Sequence, residues 1–288
     1  MVRRIIGIAR GECTKMMRHR LFYILIALAA LLPFSFPLLH SFETKLEVIG
    51  STSQESIVSE ISGQEALCCS ASRTLMVLIP LLLIYASLSM TSETENRTLK
   101  TLLVRPIRRI DLLAGKLLVL WLFTLLLIVI VVFASLSVSA MFFDWYDRIE
   151  ELNPEIIEEK IRTLKTLMIW MFPLVFFALV AFVTMAFSIS TIAKGSGTAV
   201  GLTMTIFILG PLLLIFSTAE ILEKVKPFIL NSYTSRPIDL ALKAGEGYFT
   251  VKVRPDDYFF AVVVPAAYIL FFGALSVGFF FRRRIATS

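Results

Sequence analysis

The chain has few charged residues and few cysteines. Only 17% of its 288 residues are Asp, Glu, Lys or Arg, whereas about 25% is usual for a soluble domain. Three cysteines are too few to hold together a secreted disulfide scaffold of this length. Disorder is also excluded, because 24 phenylalanines and a hydrophobic content of 57% are the opposite of a disordered composition. The excess of apolar residues predicts a membrane protein.

Asp, Glu, Lys, Arg and His are absent from six apolar stretches. Each is close to the roughly 20 residues that a helix needs to cross about 30 Å of hydrocarbon. The predicted spans are 21–39, 74–90, 117–143, 167–193, 198–219 and 259–281. The first is too long for a signal peptide and no cleavage site follows it, so we expect it to be retained. The predicted fold class is an all-α membrane protein with six transmembrane helices in one domain, 1–288.

The few charges are divided unequally between the two sides of the predicted membrane. One side comprises 1–20, 91–116, 194–197 and 282–288, and the other comprises 40–73, 144–166 and 220–258. The first side carries 16 Lys and Arg against 4 Asp and Glu, and the second carries 12 against 18. Because cytoplasmic loops are enriched in Lys and Arg, both termini are predicted to be cytoplasmic, in the inner or plasma membrane. The net charge of +6 is therefore an orientation signal, and no nucleic-acid partner is expected.

The residues before the first span predict an amphipathic helix, 2–18. At about 100° per residue, its apolar side chains fall within an arc of roughly 120°, and its basic side chains lie on the other side. The apolar set is Val2, Ile5, Ile6, Ala9, Cys13, Met16 and Met17. This pattern favours a helix among the lipid headgroups over a solvated basic flank. We interpret 1–20 as an interfacial elbow helix that contacts membrane lipid.

Sequence patterns for a nucleotide or a catalytic metal are missing. The phosphate-binding pattern Gly-x-x-x-x-Gly-Lys-Ser/Thr is absent, and the pair Gly115-Lys116 lacks both the first glycine and the hydroxyl. His-Glu-x-x-His is absent as well. Cys68 and Cys69 are adjacent, a spacing that strains a disulfide, so we interpret them as small apolar residues. We expect no catalytic residue, no metal and no cofactor bound by this chain.

Two short patterns predict helix features. Asn153 followed by Pro154 is a typical helix start, and that helix is expected to continue into the fourth span. Gly197 and Gly201 open the fifth span with the spacing that lets two membrane helices approach closely. We predict a helix contact there, in a dimer.

The segment 91–116 is predicted to dock a partner. Its apolar residues recur near helical spacing, interrupted by Pro106, while its basic residues lie elsewhere. The apolar residues are Leu99, Leu102, Leu103, Ile107 and Ile110. Ion-coupled transporters usually place ionisable groups within the membrane, and these spans have none, so energy for transport would come from a partner. By composition alone, 91–116 fits an ordinary cytoplasmic loop equally well.

This segment resembles the cytoplasmic loop of ABC-2 type transporter permeases, the membrane subunits of ATP-binding-cassette exporters. The matching residues are Glu93, Thr98, Leu102-Leu103, Pro106, Arg109 and Gly115-Lys116. Arg97 stands where the family has a glycine. The elbow helix, the six spans, the inward termini and the outer loop 220–258 are similar to the same family.

The resemblance implies a type V exporter-like permease fold and a transport subunit that is not itself an enzyme. A separate cytoplasmic ABC ATPase would hold ATP and Mg²⁺, with 91–116 as the coupling loop seated on it. The residues implied in coupling are Glu93, Thr98, Leu102, Pro106, Arg109 and Lys116. A homodimer, or a pair with a second permease, would enclose the substrate route.

Two other functions stay open from the sequence. The chain could be a membrane scaffold or assembly factor that holds a cytoplasmic protein and transports nothing, or a secondary transporter, which the uncharged spans disfavour. A small protein with a Walker A loop in the neighbouring reading frame would favour the transporter over the scaffold. The uncharged spans favour a lipid-like, hydrophobic or peptide cargo without identifying it.

Overall fold

The computed structural model describes residues 2–39, 63–95, 109–143, 154–215, 229–234 and 255–282. Within these ranges the chain is helical and contains no strand. The helices are α1 (Val2–Met17), α2 (Arg20–Leu31), α3 (Gly63–Glu95), α4 (Arg109–Phe142), α5 (Pro154–Ile192), α6 (Ser196–Ile215) and α7 (Pro255–Arg282). The all-α prediction is confirmed for these residues.

Within the described residues, five helical stretches are long and apolar enough to cross a membrane. They are Arg20–Leu39, Ala66–Glu95, Ile110–Phe142, Met171–Ile192 and Phe259–Phe281. They coincide with five of the six predicted spans. The predicted span 198–219 corresponds, in the described residues, to a shorter apolar helix, Ser196–Leu212. The count of six spans and the cytoplasmic termini therefore stay predictions.

The helix α5 lies at the centre of the bundle. In its apolar stretch 72% of the residues are buried, against 22% in that of α7. It packs against α3, α4, α6 and α7, and small buried residues such as Ala178 and Ala186 let those helices approach. Its start at Pro154 and its continuation through the fourth predicted span confirm the prediction made from the Asn153-Pro154 pair.

The N-terminal helix α1 packs against the start of α4. Ala9 and Met16 are buried, whereas Ile6 is 59% exposed. A Cβ atom at Gly115 of α4 would lie 2.8 Å from Cγ2 of Ile8, so this close approach of the two helices requires glycine. The predicted helix is confirmed over Val2–Met17. Part of its apolar face packs against α4, and the rest, including Ile6, is exposed. Its location among lipid headgroups stays a prediction.

The two ends of the predicted coupling loop 91–116 are helical. The helix α3 extends to Glu95, and α4 begins at Arg109. The intervening residues 96–108, which include Thr98, Leu102 and Pro106, lie outside the described residues. The short proline-broken helix expected there is therefore not tested. Most of the outer loop 220–258 also lies outside the described residues.

Candidate functional site

Four charged side chains from three helices meet where α3 ends and α4 begins. Glu12 and Lys15 come from α1, Glu93 comes from α3 and Lys116 comes from α4. We call these residues the four-charge cluster. Its two positive and two negative charges balance, so the three helices are joined without leaving a net charge at the contact.

Lys116 is the most deeply buried member of the four-charge cluster. Its Nζ atom lies 2.8 Å from Oε2 of Glu12 and 2.9 Å from Oε1 of Glu93. Its side chain is only 4% exposed, and its carboxylate partners are 12% and 13% exposed. A buried ammonium group is tolerated only when paired. Lys116 therefore depends on carboxylates supplied by two other helices.

Lys15 bonds to the same two carboxylates from the outer side. Its Nζ atom lies 2.7 Å from Oε1 of Glu12 and 3.0 Å from Oε1 of Glu93. Its side chain is 51% exposed, so solvent screens these ion pairs and reduces their contribution to stability. Lys116 and Lys15 thus bond to the same partners in different environments.

The pKa values of Glu12 and Lys15 are shifted so that both stay charged. Burial alone would raise the pKa of Glu12, but Lys116 and Lys15 outweigh it and hold the pKa below its ordinary value. Burial alone would lower the pKa of Lys15, but Glu12 and Glu93 outweigh it and raise the pKa. The stabilisation from Glu12 is lost as pH falls through its lowered pKa, and that from Lys15 as pH rises through its raised pKa. Both contributions are present at neutral pH.

A separate contact joins the end of α3 to the start of α6. Oε1 of Glu95 accepts a hydrogen bond from the backbone N–H of Ser196 at 2.7 Å. The Ser196 hydroxyl lies 3.0 Å from the same oxygen and 2.8 Å from Oε2. The N-terminus of a helix has unpaired N–H groups and favours an anion. Through Glu93 and Glu95, the last turn of α3 contacts α1, α4 and α6.

A serine of α5 contacts the backbone of α3 one turn before these carboxylates. Oγ of Ser190 accepts hydrogen bonds from the backbone N–H of Met90 at 3.1 Å and of Thr91 at 3.2 Å. All three residues are buried. Side chains that insert beside a helix backbone are a recognised cause of local bending. This contact fixes the last turns of α3 against the central helix α5.

The structure brings together only some of the predicted site residues. Glu93 and Lys116, both predicted to couple to an ATPase, are paired with each other. Arg109 is the first residue of α4, and its side chain lies outside the described part. Gly197 and Gly201 are exposed, and no atom lies within 4 Å of a Cβ built on either. The roles in ATPase coupling and helix contact stay predictions.

Several residues of the site were not predicted from the sequence. The amphipathic pattern places Glu12 and Lys15 in the N-terminal helix 2–18 and predicts no partner for either, and no sequence pattern selects Ser190. One signal was present, because Glu12 is the single acidic residue among the first 20 positions. No comparable signal distinguished Ser190 from the other serines in the spans.

The described residues of this site include neither a metal-binding group nor a disulfide bond. Among the residues with described positions, no group of three or more His, Cys, Asp or Glu side chains could hold a metal ion. No disulfide joins Cys68 to Cys69, and Cys68 is buried in the helical core.

The bundle of long apolar helices, with charged groups gathered at helix ends, defines a multi-pass α-helical membrane protein. The family model described as ABC-2 family transporter protein matches residues 8–210, more than two thirds of the chain. The chain therefore belongs to the ABC-2 transporter family, as its resemblance to those permeases predicted. Members are membrane components of ABC transporters and normally work with a cytoplasmic ATPase. No curated protein sequence matches the chain significantly.

Proposed function

We propose that this chain is the permease subunit of an ABC exporter. It couples ATP hydrolysis on a separate cytoplasmic ATPase to substrate movement across the cell membrane. The chain binds no nucleotide, so ATP and Mg²⁺ are held by the ATPase. The family match supports the class of protein, and the position of the four-charge cluster supports the coupling role.

The supporting observation is that the four-charge cluster joins the two helices on either side of 96–108. Glu93 lies two residues before the end of α3, and Lys116 is the eighth residue of α4. Their carboxylate–ammonium pair at 2.9 Å holds the two helix ends together, and Glu12 ties α1 to Lys116. A force applied to 96–108 would therefore move α1, α3 and α4 together.

The mechanism follows from this connection. ATP binding closes two ATPase subunits, and each pulls on the coupling loop 91–116 of a permease. The contacts of Glu95 with Ser196 and of Ser190 with the backbone of α3 pass the displacement to α6 and α5. The substrate route lies between two permease copies, whose contact includes the open face of α6 at Gly197 and Gly201.

Coexpression of the chain with its cognate ABC ATPase tests this proposal. The measurements are copurification of the two proteins and the ATP hydrolysis rate of the reconstituted complex. The variant Arg109→Glu reverses a charge in the coupling loop and is expected to abolish copurification or to reduce stimulated hydrolysis at least tenfold. Screening compounds for stimulation of the intact complex would then identify the substrate.

The matched control is Lys194→Glu. Lys194 is an exposed cation on the same predicted side of the membrane, between α5 and α6, so its reversal makes the same charge change outside the coupling loop. It is expected to leave copurification and hydrolysis within about twofold of the unaltered complex. If Arg109→Glu also left both measurements unchanged, the coupling assignment would be wrong.

A further inference from the structure

A cleft of about 450 Å³ lies beside the four-charge cluster. Its walls come from α1, the start of α2, the last turns of α3, the start of α4 and the first residue of α6. The volume is within the range of about 300–1,000 Å³ that is usual for small-molecule sites. The proposed coupling role does not use this space.

The lining of the cleft combines apolar and polar side chains. The apolar lining comes from the ends of three candidate spans, with Leu21 from the first, Leu88 from the second and Val119 from the third. The polar lining includes Lys15, Glu95 and other charged or hydroxyl groups. A ligand that contacts both kinds of side chain carries a polar headgroup on an apolar tail, as a membrane lipid does.

Several hydrogen-bond donors face this cleft without a partner among the described residues. The imidazole of His19 makes only an edge-on ring contact with Tyr85, at 6.2 Å between centroids. The hydroxyls of Tyr85 and Ser92 make no hydrogen bond within the described ranges. Lys15 uses two of its three ammonium protons in the four-charge cluster. Each of these four groups can donate a hydrogen bond to an oxygen of a phospholipid headgroup.

The charge of the lining disfavours a ligand that is only an anion. Lys15 and Lys116 contribute two positive charges, whereas Glu12, Glu93 and Glu95 contribute three negative ones. Counted over Lys, Asp and Glu, the lining has a formal charge of −1. The Glu95 carboxylate is exposed and has acceptor capacity beyond its bonds to Ser196. A phosphate group with a cationic group beside it, directed at this carboxylate, matches this distribution of charge.

We propose that the cleft binds the zwitterionic headgroup of an aminophospholipid. The oxygens of the phosphate and of the adjoining ester groups accept hydrogen bonds from His19, Tyr85, Ser92 and Lys15, and the primary ammonium donates to Glu95. The acyl chains leave along the apolar walls beside the first span. A choline headgroup lacks N–H donors for the carboxylate, and glycerol lacks the positive charge. The site thus distinguishes ethanolamine lipids from both.

Native mass spectrometry of the purified chain tests this proposal without the ATPase. The chain is exchanged into detergent containing equal amounts of phosphatidylethanolamine, phosphatidylcholine and phosphatidylglycerol with identical acyl chains. Retention of one phosphatidylethanolamine, at least fivefold above either other lipid, is expected. Because ATP hydrolysis is not measured, this result is independent of the proposed coupling function.

The double variant Tyr85→Phe/Ser92→Ala removes two donors and keeps the packing. It is expected to retain at least threefold less phosphatidylethanolamine. The matched control is Tyr23→Phe/Ser137→Ala. It removes one tyrosine and one serine hydroxyl at exposed positions away from the cleft, and it is expected to retain the lipid. Thermal unfolding of both variants checks that they are folded.

Three results would overturn the proposal. One is equal retention of the three lipids by the unaltered chain. Another is full retention by a folded Tyr85→Phe/Ser92→Ala variant. The third is displacement of the bound lipid by soluble phosphoethanolamine as effectively as by short-chain phosphatidylethanolamine, which would identify a soluble zwitterion as the ligand.

Discussion

The ammonium group of Lys116 lies 2.8 Å from a carboxylate oxygen of Glu12, across 104 positions of sequence. The pair joins the N-terminal helix to the start of the helix that follows the coupling loop. Because Lys116 is 4% exposed, the contact is formed largely away from solvent. The stability and coupling of this end of the bundle therefore depend on Lys116, the last residue of the predicted coupling loop 91–116.

The first prediction concerns the buried ammonium group. Lys116→Met leaves Glu12 and Glu93 without their buried partner and is expected to lower the free energy of unfolding by about 2–4 kcal/mol. Lys15→Met removes a 51% exposed cation from the same carboxylates and is expected to cost less than about 1 kcal/mol. Unfolding in mixed micelles measures both. Equal effects would show that burial does not distinguish the two lysines.

The second prediction concerns the close approach of α1 to α4. Gly115→Ala places a Cβ atom 2.8 Å from Cγ2 and 3.2 Å from Cβ of Ile8, so the helices must separate at a cost of about 1–3 kcal/mol. Adding Ile8→Ala is expected to restore part of this loss in the same unfolding measurement. Gly7→Ala on α1 is the control, because nothing lies within 4 Å of its Cβ. An unaltered unfolding midpoint for Gly115→Ala would contradict the packing.

The third prediction compares two neighbouring serines of α5. Ser190→Ala removes the acceptor for the backbone N–H groups of Met90 and Thr91 and is expected to destabilise the chain by about 1–2 kcal/mol. Ser188→Ala removes a buried hydroxyl that has no hydrogen-bond partner in the described residues, so it is expected to be neutral or slightly stabilising. Unfolding midpoints of the two variants test this, and a more harmful Ser188→Ala would refute it.

The fourth prediction concerns the contact between α3 and α6. Glu95→Ala removes the carboxylate that accepts the backbone N–H of Ser196, so the first turn of α6 is expected to open more often. Hydrogen–deuterium exchange should increase at residues 195–199 and stay unchanged in the middle of α6. Glu95→Gln keeps an acceptor oxygen but loses the charge, and it is expected to give an intermediate increase. Unchanged exchange in Glu95→Ala would exclude a capping role.

The fifth prediction concerns contact between two copies of the chain. In a background with Cys13, Cys68 and Cys69 replaced by Ser, Gly201→Cys is expected to form a disulfide-linked dimer in membranes upon mild oxidation. Ala199→Cys is the control, because Ala199 is buried within its own chain. Dimers are read on non-reducing gels. Cross-linking at position 199 but not at 201 would place the contact on another face of α6.

Much of the architecture could be predicted from the sequence, because crossing a membrane imposes a local rule. Roughly 20 apolar residues must be consecutive, and five of the predicted spans coincide with apolar helices of the structure. The start of α5 at Pro154 and the helix Val2–Met17 follow from equally local signals. The family could also be recognised, because the order of residues from Glu93 to Lys116 carries the resemblance.

The site could be predicted only in part. The resemblance of the coupling loop 91–116 predicts functional roles for Glu93 and Lys116. It does not predict that the two side chains form an ion pair with each other. A side chain's partners depend on how helices pack, and neither periodicity nor composition specifies which helix faces which. Gly115 illustrates this limit, because its role is set by Ile8 on another helix.

The low charge content by itself determined where this protein resides and which segments cross the membrane, since transfer of a charge into hydrocarbon is costly wherever it occurs in the chain. Only the tertiary structure decided what the remaining charges do. Glu12, Glu93 and Lys116 come from distant positions, and the packing of α1, α3 and α4 brings them within 3 Å. Ion pairing acts over such short distances that only the folded bundle can create it.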